Sequence, residues 1–505
     1  MALIMGPVLG FRGRQGDVWM LSALAVLDAG DPPLSLTITD GDGRDVVQGA
    51  TQLMRFGGRA VVRLDFDVQL QPRPRRISYK LGTGPNSWEI AIPALNQAPR
   101  MAYASCNGFS DPSAVKKVKD RNERWTDLNN RQKKNLRDAY HLLLMGGDQV
   151  YADSMWEIVP TLKAWAELSS DAKWNAPFPA KMKSEVEQFY FSLYCDRWSQ
   201  PEPALSFASI PSLMMWDDHD IFDGWGSYAD NQLDGAVYKN IFEIARRHFQ
   251  VFQLRTTPNG RLLGTIGDQD GTSYFYQLGS VAVLGLDMRS ERRINRVIGQ
   301  KSWKAIFDRL EAFAAQPNHG CKHLYVLSSI PVVHPDLSLV ERTFNILPGQ
   351  QELEDDLKDH WHSVSHKQER IRLVRRLLDF SRDSRIRVTI LSGDVHVGAV
   401  GVIESDRSGV TGDNANVINQ LTSSAIVHPP PPALMAYALE FLSGTPETVD
   451  RGVTATLANF PGTSQKFIGA RNWLGLEPDD TNRVWANWYI ENKGDVYTKV
   501  INPVG

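Results

Sequence analysis

Long apolar runs and closely spaced cysteines are both missing from this sequence. No uncharged apolar stretch approaches the ~18 residues that a membrane-spanning helix requires, so no membrane span is predicted. The three cysteines, Cys106, Cys195 and Cys321, lie far apart and match no metal-finger spacing. Such sparse cysteine use is typical of a reducing compartment. The N-terminus lacks a basic segment followed by an apolar core and carries no twin-arginine pattern, so we expect a cytoplasmic protein.

A strong charge of either sign is missing as well. The formal net charge is -3, which argues against a general nucleic-acid binder, and we expect no stable nucleic-acid complex. A locally positive pocket stays compatible with that balance, because a global count says nothing about the local field. The Gly-x-Ser-x-Gly elbow of serine hydrolases and the Gly-x4-Gly-Lys-Ser/Thr loop of P-loop enzymes are also absent, which disfavours both classes.

The first 97 residues differ in texture from the rest of the chain. Short stretches rich in β-branched and aromatic residues alternate with turns built from Gly, Asp and Pro, the pattern of a small antiparallel β-sandwich. The predicted strands are residues 18–24, 34–38, 60–66, 77–81 and 88–92. No candidate ligand cluster falls among them. We therefore predict a structural domain at residues 1–97 and a catalytic domain, with a C-terminal extension, at residues 98–505.

From residue 98 onward, apolar strand-like runs alternate with helical stretches. Residues 181–198 and 238–254 carry apolar side chains at helical spacing, so we predict a helix in each. An alternation of this kind predicts an α/β fold. In such folds the functional site forms at the carboxyl ends of the strands.

One predicted strand ends in a carboxylate and an imidazole. The apolar run at residues 386–391 has the composition of a buried strand. Gly393 lets the backbone turn, and Asp394 and His396 then follow one residue apart. The spacing offers a metal two ligands, although a strand-end Asp is commonly a turn former and a nearby His commonly a surface residue.

Three other predicted strands end in the same kind of side chain. Residues 101–104, 142–147 and 213–216 run into Cys106, into Asp148 with Tyr151, and into Asp217, Asp218 and His219, respectively. Because strand ends of an α/β sheet meet at one edge, we expect these side chains to converge. Thiolate, phenolate, imidazole and carboxylate are ligands of hard or borderline cations. The sequence therefore predicts a metal centre.

In this order the motifs resemble those of the PhoD-like alkaline phosphatases, a branch of the calcineurin-like metallophosphoesterases. The matching motifs are Ala104-Ser105-Cys106, Gly147-Asp148-Gln149-Val150-Tyr151, Trp216-Asp217-Asp218-His219-Asp220, Leu286-Asp287-Met288-Arg289 and Leu391-Ser392-Gly393-Asp394-Val395-His396. The resemblance covers about residues 98–430, and residues 1–97 are similar to the immunoglobulin-like domain that precedes the catalytic domain in that family. It implies a four-layer α/β/β/α catalytic domain built on two packed sheets.

The resemblance also implies a role for each matching residue. Position by position, it implies iron ligands at Cys106, Tyr151 and His396, a bridging carboxylate at Asp148, further metal ligands at Asp218 and, on a calcium-like side, Asp394, and a phosphate contact at His219. Thiolate, phenolate and imidazole suit iron, whereas carboxylates suit calcium, so ligand chemistry agrees with this division.

Two departures from the family pattern affect these expectations. Family members are typically exported, often with a twin-arginine signal, and this sequence shows none. Calcium is scarce in a cytoplasm, so zinc, manganese or magnesium are alternatives for the same positions. Asp220 stands where the family commonly has Glu, a longer side chain.

We therefore expect a hydrolase of phosphate monoesters, diesters or both, with a metal-activated hydroxide as the nucleophile. His219 would bind a phosphoryl oxygen or protonate the leaving group. The expected partner is a small-molecule or lipid phosphoester. Two alternatives stay open: a phosphodiesterase or phospholipase specific for lipid or nucleotide diesters, and a non-catalytic binding module that keeps its metals for structure.

Some assignments around the cluster stay open. Arg289 is either a phosphate clamp or a structural salt-bridge partner. Asp217 is expected behind the ligands, where it would receive the proton of a ligand histidine. Residues from about 435 to 505 either cap the active site or only complete the second sheet. The histidines expected in loops or helices rather than among the ligands are His334, His360, His362 and His366.

Overall fold

The structure is a computed structural model, and it describes residues 3–32, 34–110, 112–267, 270–335, 361, 366–406, 414–432, 439–440 and 442–505. Three β-sheets and the helices between their strands form a mixed α/β fold. The α/β class predicted from the sequence is confirmed.

The largest sheet has ten strands drawn from the beginning, middle and end of the chain. Across the sheet these are β23 (Tyr497–Ile501), β22 (Val484–Ile490), β21 (Asn472–Pro478), β9 (Met101–Ala104), β10 (Leu142–Gly146), β11 (Ser212–Met215), β1 (Met5–Gln15), β2 (Val18–Asp28), β6 (Arg59–Gln69) and β5 (Thr51–Phe56). Strands β9, β10, β11 and β1 pair in parallel. Because β21 pairs with β9, the last part of the C-terminal stretch extends this sheet, whereas the alternative left open for it was to complete the second sheet only.

A second sheet has nine strands. Eight of them follow the order β12 (Tyr274–Leu278), β13 (Val281–Gly285), β14 (His323–Leu327), β15 (Arg387–Ser392), β17 (Val417–Ser423), β16 (Gly398–Ser405), β19 (Val453–Ala458) and β18 (Glu447–Asp450), and β20 (Phe467–Ile468) pairs with β16. Strands β13, β14, β15 and β17 are parallel to one another, so their carboxyl ends lie at the same edge.

The N-terminal strands are divided between two sheets. A third sheet contains β4 (Gly43–Val47), β3 (Leu36–Asp40), β7 (Arg75–Leu81) and β8 (Trp88–Ile92). Strand β1, for which the sequence analysis predicted no strand, instead pairs with β11 at Gly10 and Ser212. Residues 7–11 of β1 are all buried, as expected of a central strand with both faces covered. Strands β1, β2, β5 and β6 thus belong to the same sheet as strands from the middle and end of the chain.

Eleven α-helices are found in the part of the chain that the structure describes. They are α1 (Pro112–Lys117), α2 (Glu123–Lys134), α3 (Met155–Ile158), α4 (Pro160–Ala166), α5 (Ser170–Asn175), α6 (Ala180–Trp198), α7 (Pro201–Ser209), α8 (Asp230–Leu233), α9 (Ala236–Phe252), α10 (Gln300–Ala314) and α11 (Lys367–Ser384). The helices predicted at residues 181–198 and 238–254 are confirmed as α6 and α9. Within the described ranges, no helix combines the length and the apolar character needed to cross a membrane.

Alternating side chains of the central strands enter different cores. In β10, Leu142 and Leu144 belong to a core that also contains Leu327 and Leu391 of the nine-stranded sheet. Leu143 and Met145 instead belong to a core shared with helices α2, α6 and α7. Both faces of β10 are therefore buried, which explains why its sequence is apolar throughout rather than alternating.

The carboxyl ends of the parallel strands position the candidate site. In the ten-stranded sheet, β9, β10 and β11 lead into the loops that carry Cys106, Asp148 and Asp218. In the nine-stranded sheet, β13 and β15 lead into the loops that carry Arg289 and Asp394. The predicted site residues thus all lie in loops that follow strand ends, as the α/β pattern requires.

Candidate metal centre

A thiol, a carboxyl, a phenol and an imidazole meet at one side of the candidate centre. Cys106 Sγ lies 3.5 Å from Asp148 Oδ2, and the Tyr151 hydroxyl lies 3.3 Å from His396 Nε2. Cys106 and Tyr151 also share a small buried cluster with Ala425. These four donors come from loops after β9, β10 and β15, so three strand ends converge here.

A second side of the centre is built from carboxylates. Donor atoms of Asp148, Asp218 and His219 lie within 4.8 Å of one another, and so do those of Asp217, Asp218 and Asp394. Asp148 therefore borders both sides. The arrangement has a sulfur-containing side that suits a borderline cation and an oxygen-rich side that suits a hard cation.

An unpaired carboxylate oxygen of Asp148 indicates that the donor set fits a bound metal. Asp148 is buried, and its Oδ1 has no hydrogen-bond partner among the described residues. An unpaired buried carboxylate oxygen is unfavourable unless a cation or a donor compensates it.

Burial raises the pKa of Asp148 well above that of an ordinary aspartate, with the carboxylates of Asp217 and Asp218 adding to the rise. Burial also raises the pKa values of Cys106 and Tyr151. Metal binding would therefore release protons from these groups.

Four of the candidate ligands have left-handed backbone conformations. Cys106, Asp148, Asp394 and His396 have φ angles of 55°, 54°, 67° and 52°, and they are four of the ten non-glycine residues with positive φ among those described. Each such residue costs about 1–3 kcal/mol, and strain of this kind concentrates at functional sites. The backbone is therefore bent out of the strand direction where the donor side chains are presented.

Two glycines let the loops approach the donors closely. A Cβ atom on Gly108 would lie 2.3 Å from Cδ2 of Tyr151, so only glycine fits beside that ring. Gly147 has a φ of +114°, and a Cβ there would lie 2.8 Å from Cβ of Asp217. The loops after β9 and β10 therefore depend on glycine for contact with the centre.

His219 is oriented by a carboxylate that the sequence analysis did not single out. It lies in a 3-10 turn at Asp218–Asp220, and its Nδ1 is 2.8 Å from Oδ2 of Asp153. Asp153 Oδ1 accepts a further hydrogen bond from the backbone N–H of Asp223 at 2.8 Å. Burial alone would lower the pKa of His219, but Asp153 and Asp218 more than offset it and raise that pKa well above its ordinary value.

Arg289 lies beneath the carboxylates. Its side chain is fully buried, forms an ion pair with Asp217, and places Nη2 3.3 Å from Oδ1 of Asp218. Its Nη1 donates to the carbonyl of Trp225 at 3.0 Å, while Asp217 also accepts from the Ser329 hydroxyl at 2.8 Å. These contacts are those of the salt-bridge alternative for Arg289. A carboxylate–histidine pair is formed by Asp153 and His219.

Asp220 connects the two loops that carry Asp148 and Asp218. Its Oδ1 accepts from the backbone N–H groups of Gln149 and Val150 at 3.0 and 3.1 Å, and from Nε2 of Gln253 at 2.8 Å. Its Oδ2 accepts from the backbone N–H of Asp217. Although Asp220 is shorter than the Glu common in the family, both of its carboxylate oxygens accept hydrogen bonds.

A third histidine, His428, lies against the centre in the loop after β17. Its ring stacks on that of His396 with centroids 3.7 Å apart, and on Tyr151 at 5.7 Å. Its Nε2 is 3.1 Å from the hydroxyl of Ser110. The available signal was its position shortly after β17, whose carboxyl end lies at the site edge.

Of the four histidines expected outside the ligand set, two lie within the described residues and two do not. His334 and His366 do not belong to either carboxylate group of the centre. His360 and His362 lie outside the described residues.

Comparisons with known proteins agree with this architecture. A family model described as "PhoD related phosphatase" matches residues 77–348 and 343–446. The protein of Saccharomyces cerevisiae named "Uncharacterized protein YGR266W" is 29% identical over 501 residues, covering 82% of this chain and 70% of the yeast protein. A solved structure described as "Structure of PhoD" superimposes with a TM-score of 0.58 and 14% identity, covering 98% of this chain and 90% of that one. At that identity the superposition shows a shared fold.

Proposed function

The chain belongs to the PhoD-related phosphatase family, and on that premise we propose that it is a metal-dependent hydrolase of phosphoric esters. The observation that carries the proposal is the buried carboxylate of Asp148, bordered by Cys106 at 3.5 Å on one side and grouped with Asp218 and His219 on the other. A convergent set of this kind gives the chain a means of binding both a metal and a phosphoryl group.

The metal ligands are proposed from the chemistry of the donors. Cys106, Tyr151 and His396 suit iron, and Asp218 and Asp394 suit calcium, with Asp148 between them. Zinc, manganese or magnesium are alternatives for the same donors. Metal bound here would supply Lewis acidity toward the phosphoryl oxygens and a water of lowered pKa as the nucleophile.

His219 is the residue we assign to the substrate. Its Nδ1 is held by Asp153, so Nε2 is the ring atom left to meet a phosphoryl oxygen or the leaving oxygen. The pKa of His219 is lowered by burial but raised more strongly by Asp153 and Asp218 together, which favours a protonated ring that can donate. Asp153 acts through His219 and is a positioning residue.

Arg289 has a supporting role in this proposal. Because its guanidinium is buried against Asp217 and Asp218, it holds the carboxylates in place rather than reaching the substrate. His428 holds the other end of the ligand set, because its ring stacks on His396.

The layer arrangement forms part of the proposal. The core shared by the ten- and nine-stranded sheets, together with one helix-covered core on each, supports an α/β/β/α order. Residues 1–97 are proposed as an immunoglobulin-like structural part that shares its larger sheet with the catalytic residues 98–505.

The proposal is tested by turnover and metal dependence measured together. Purified protein is assayed with an aryl phosphate monoester and an aryl phosphate diester, before and after chelation, and after return of iron, calcium, zinc, manganese or magnesium singly and in pairs. We expect turnover that chelation removes and metal restores, and the ratio of the two rates ranks monoesters against diesters. Metal-containing protein without turnover on either ester would favour the binding-module alternative.

The sulfur-containing side is tested by a matched pair of cysteine variants. Cys106→Ala removes a candidate ligand, whereas Cys321→Ala removes a buried thiol that bonds to the carbonyl of His323 outside the centre. We expect Cys106→Ala to lose one metal per chain and Cys321→Ala to keep the full content. Equal metal content in the two variants would remove Cys106 from the ligand set.

A further inference from the structure

A pocket lined by arginines lies between two hairpin turns. One turn joins β1 to β2 and the other joins β12 to β13. The cavity has a volume of about 440 Å³ and is lined by Arg12, Arg14, Tyr276, Gly279 and Arg309, among others. That volume lies within the range typical of small-molecule sites. The T-shaped contact of Phe11 with Tyr276, at 5.5 Å between ring centroids, holds the hairpins together.

The lining of the pocket carries an excess of positive charge. No acidic residue lines it, although it contains three arginines. Arg12 forms an ion pair with Asp65, whereas Arg14 donates hydrogen bonds to the carbonyls of Gly16 and Leu95 and is attracted by Asp17 without a direct ion pair. Arg309 lies over the ring of Phe275, 4.6 Å from its centroid. Within the described ranges, neither Arg14 nor Arg309 is paired with a carboxylate.

Two further arginines strengthen the positive field. Arg63 shares Asp65 with Arg12, and Arg255 is buried with its guanidinium bonded to Ser212 rather than to an acid. Burial lowers the pKa values of Arg14 and Arg309, and for Arg14 this effect exceeds the opposing attraction of Asp17. An anion bound between them would relieve that cost.

The walls of the pocket indicate what kind of anion fits. Guanidinium groups bind phosphate through paired N–H donors, so several of them around one cavity favour a phosphate group. Tyr276 and Leu263 add aromatic and apolar surface, and Leu263 is 61% exposed. We propose that this pocket is a binding site for a small phosphorylated anion, held between Arg14 and Arg309.

The pocket is separate from the metal centre. Gln277 lines it and pairs with Ala282 near the start of β13. Asp287 and Arg289 follow the other end of β13, where the metal centre lies. The proposal therefore stands without the proposed phosphoesterase activity.

The experiment measures anion binding without turnover. Metal-stripped wild-type protein is titrated by calorimetry with inorganic phosphate, with pyrophosphate and with a nucleoside diphosphate. The variants are Arg14→Gln, Arg309→Gln and, as a matched control, Arg73→Gln, an exposed arginine outside the pocket. Asp148→Asn is included to identify any binding at the metal centre.

We expect one saturable site in metal-stripped protein and in Asp148→Asn. Each pocket variant is expected to weaken it about tenfold or more, because one charged hydrogen-bonding group is lost, while Arg73→Gln binds normally. Tighter binding of the nucleoside diphosphate than of pyrophosphate would assign an organic phosphate, and equal binding would assign an inorganic one. The proposal is overturned if no saturable site is found, if Asp148→Asn abolishes binding, or if Arg73→Gln weakens it as much as the pocket variants.

Discussion

Oδ2 of Asp153 lies 2.8 Å from Nδ1 of His219, and this hydrogen bond joins the loop after β10 to the 3-10 turn after β11. Because a carboxylate accepts and does not donate, Nδ1 carries the proton and Nε2 faces away from Asp153. The orientation of the imidazole is therefore determined by a residue that is not itself among the predicted ligands. Outer partners of this kind commonly control a site as strongly as its ligands do.

Replacing Asp153 by Asn should slow catalysis without removing metal. The substitution takes away the charge that orients and protonates His219, so we expect kcat to fall about 10- to 100-fold. Metal content and KM should change little, since Asp153 is assigned neither to the metal nor to the substrate. Elemental analysis and steady-state kinetics check this, with Asp45→Asn, an exposed acid on β4, as control. Unchanged kcat in Asp153→Asn would contradict the assigned role.

A methyl group at position 108 should displace the phenol of Tyr151. The added Cβ would lie 2.3 Å from the ring, which is closer than non-bonded atoms approach. We expect Gly108→Ala to lower metal content and turnover together. Gly58→Ala is the matched control, because nothing lies within 4 Å of its Cβ position and its φ is not positive. Similar metal content in both variants would show that Tyr151 can move without loss.

The left-handed backbone of Asp394 predicts a trade of stability against function. Its φ is 67°, so Asp394→Gly relieves strain that Asp394→Ala keeps. We expect metal-stripped Asp394→Gly to be more stable than Asp394→Ala by about 1 kcal/mol, with both variants impaired in metal binding. Urea unfolding of the two proteins measures the difference. Equal free energies of unfolding would mean that the backbone there is not strained.

Buried histidines such as His141 and His323 contribute a loss of stability on acidification. Burial lowers the pKa of His141 to about 3 and that of His323 to about 4, from an ordinary value near 6.5. Below pH 6.5 the unfolded chain therefore binds protons at these histidines that the folded protein does not, so their contribution to the free energy of unfolding falls as pH falls. The slope should be about 1.4 kcal/mol per pH unit for each histidine.

Urea unfolding at several pH values from about 6.5 down to about 5 measures this slope. His323→Gln removes one of these titrating groups and should lower the slope by about 1.4 kcal/mol per pH unit, which corresponds to one proton. His319→Gln is the control, because His319 is less buried and its pKa is lowered less. An identical slope in wild type and His323→Gln would contradict the account.

The positions of candidate ligands just after apolar strands were sufficient to predict which side chains lie close together. Cys106, Asp148, Asp218 and Asp394 follow apolar runs that the structure shows as β9, β10, β11 and β15. This succeeded because a buried central strand is recognisable from its continuous apolar run, and because parallel strands bring their carboxyl ends together. Helices α6 and α9 were predictable for a similar reason, since their apolar side chains recur at helical spacing.

Residues on loops and the pairing of distant strands were harder to predict. Asp153 contacts His219, and His428 contacts His396. No local sequence pattern predicts contacts of this kind between distant loops. Strand β1 pairs with β11 about two hundred residues away. The sequence of a strand does not by itself predict which strand it pairs with. The N-terminal strands therefore had the composition of a separate sandwich, although they share a sheet with the site.

The most direct test of the central claim is elemental analysis of Asp148→Asn beside wild-type protein, with hydrolysis of an aryl phosphate measured on the same samples. Asp148 borders both sides of the centre, so we predict that the variant loses metal and turnover together while keeping the unfolding transition of metal-stripped wild type. A variant with full metal content and full activity would contradict the assignment of this centre as the site of phosphoester hydrolysis.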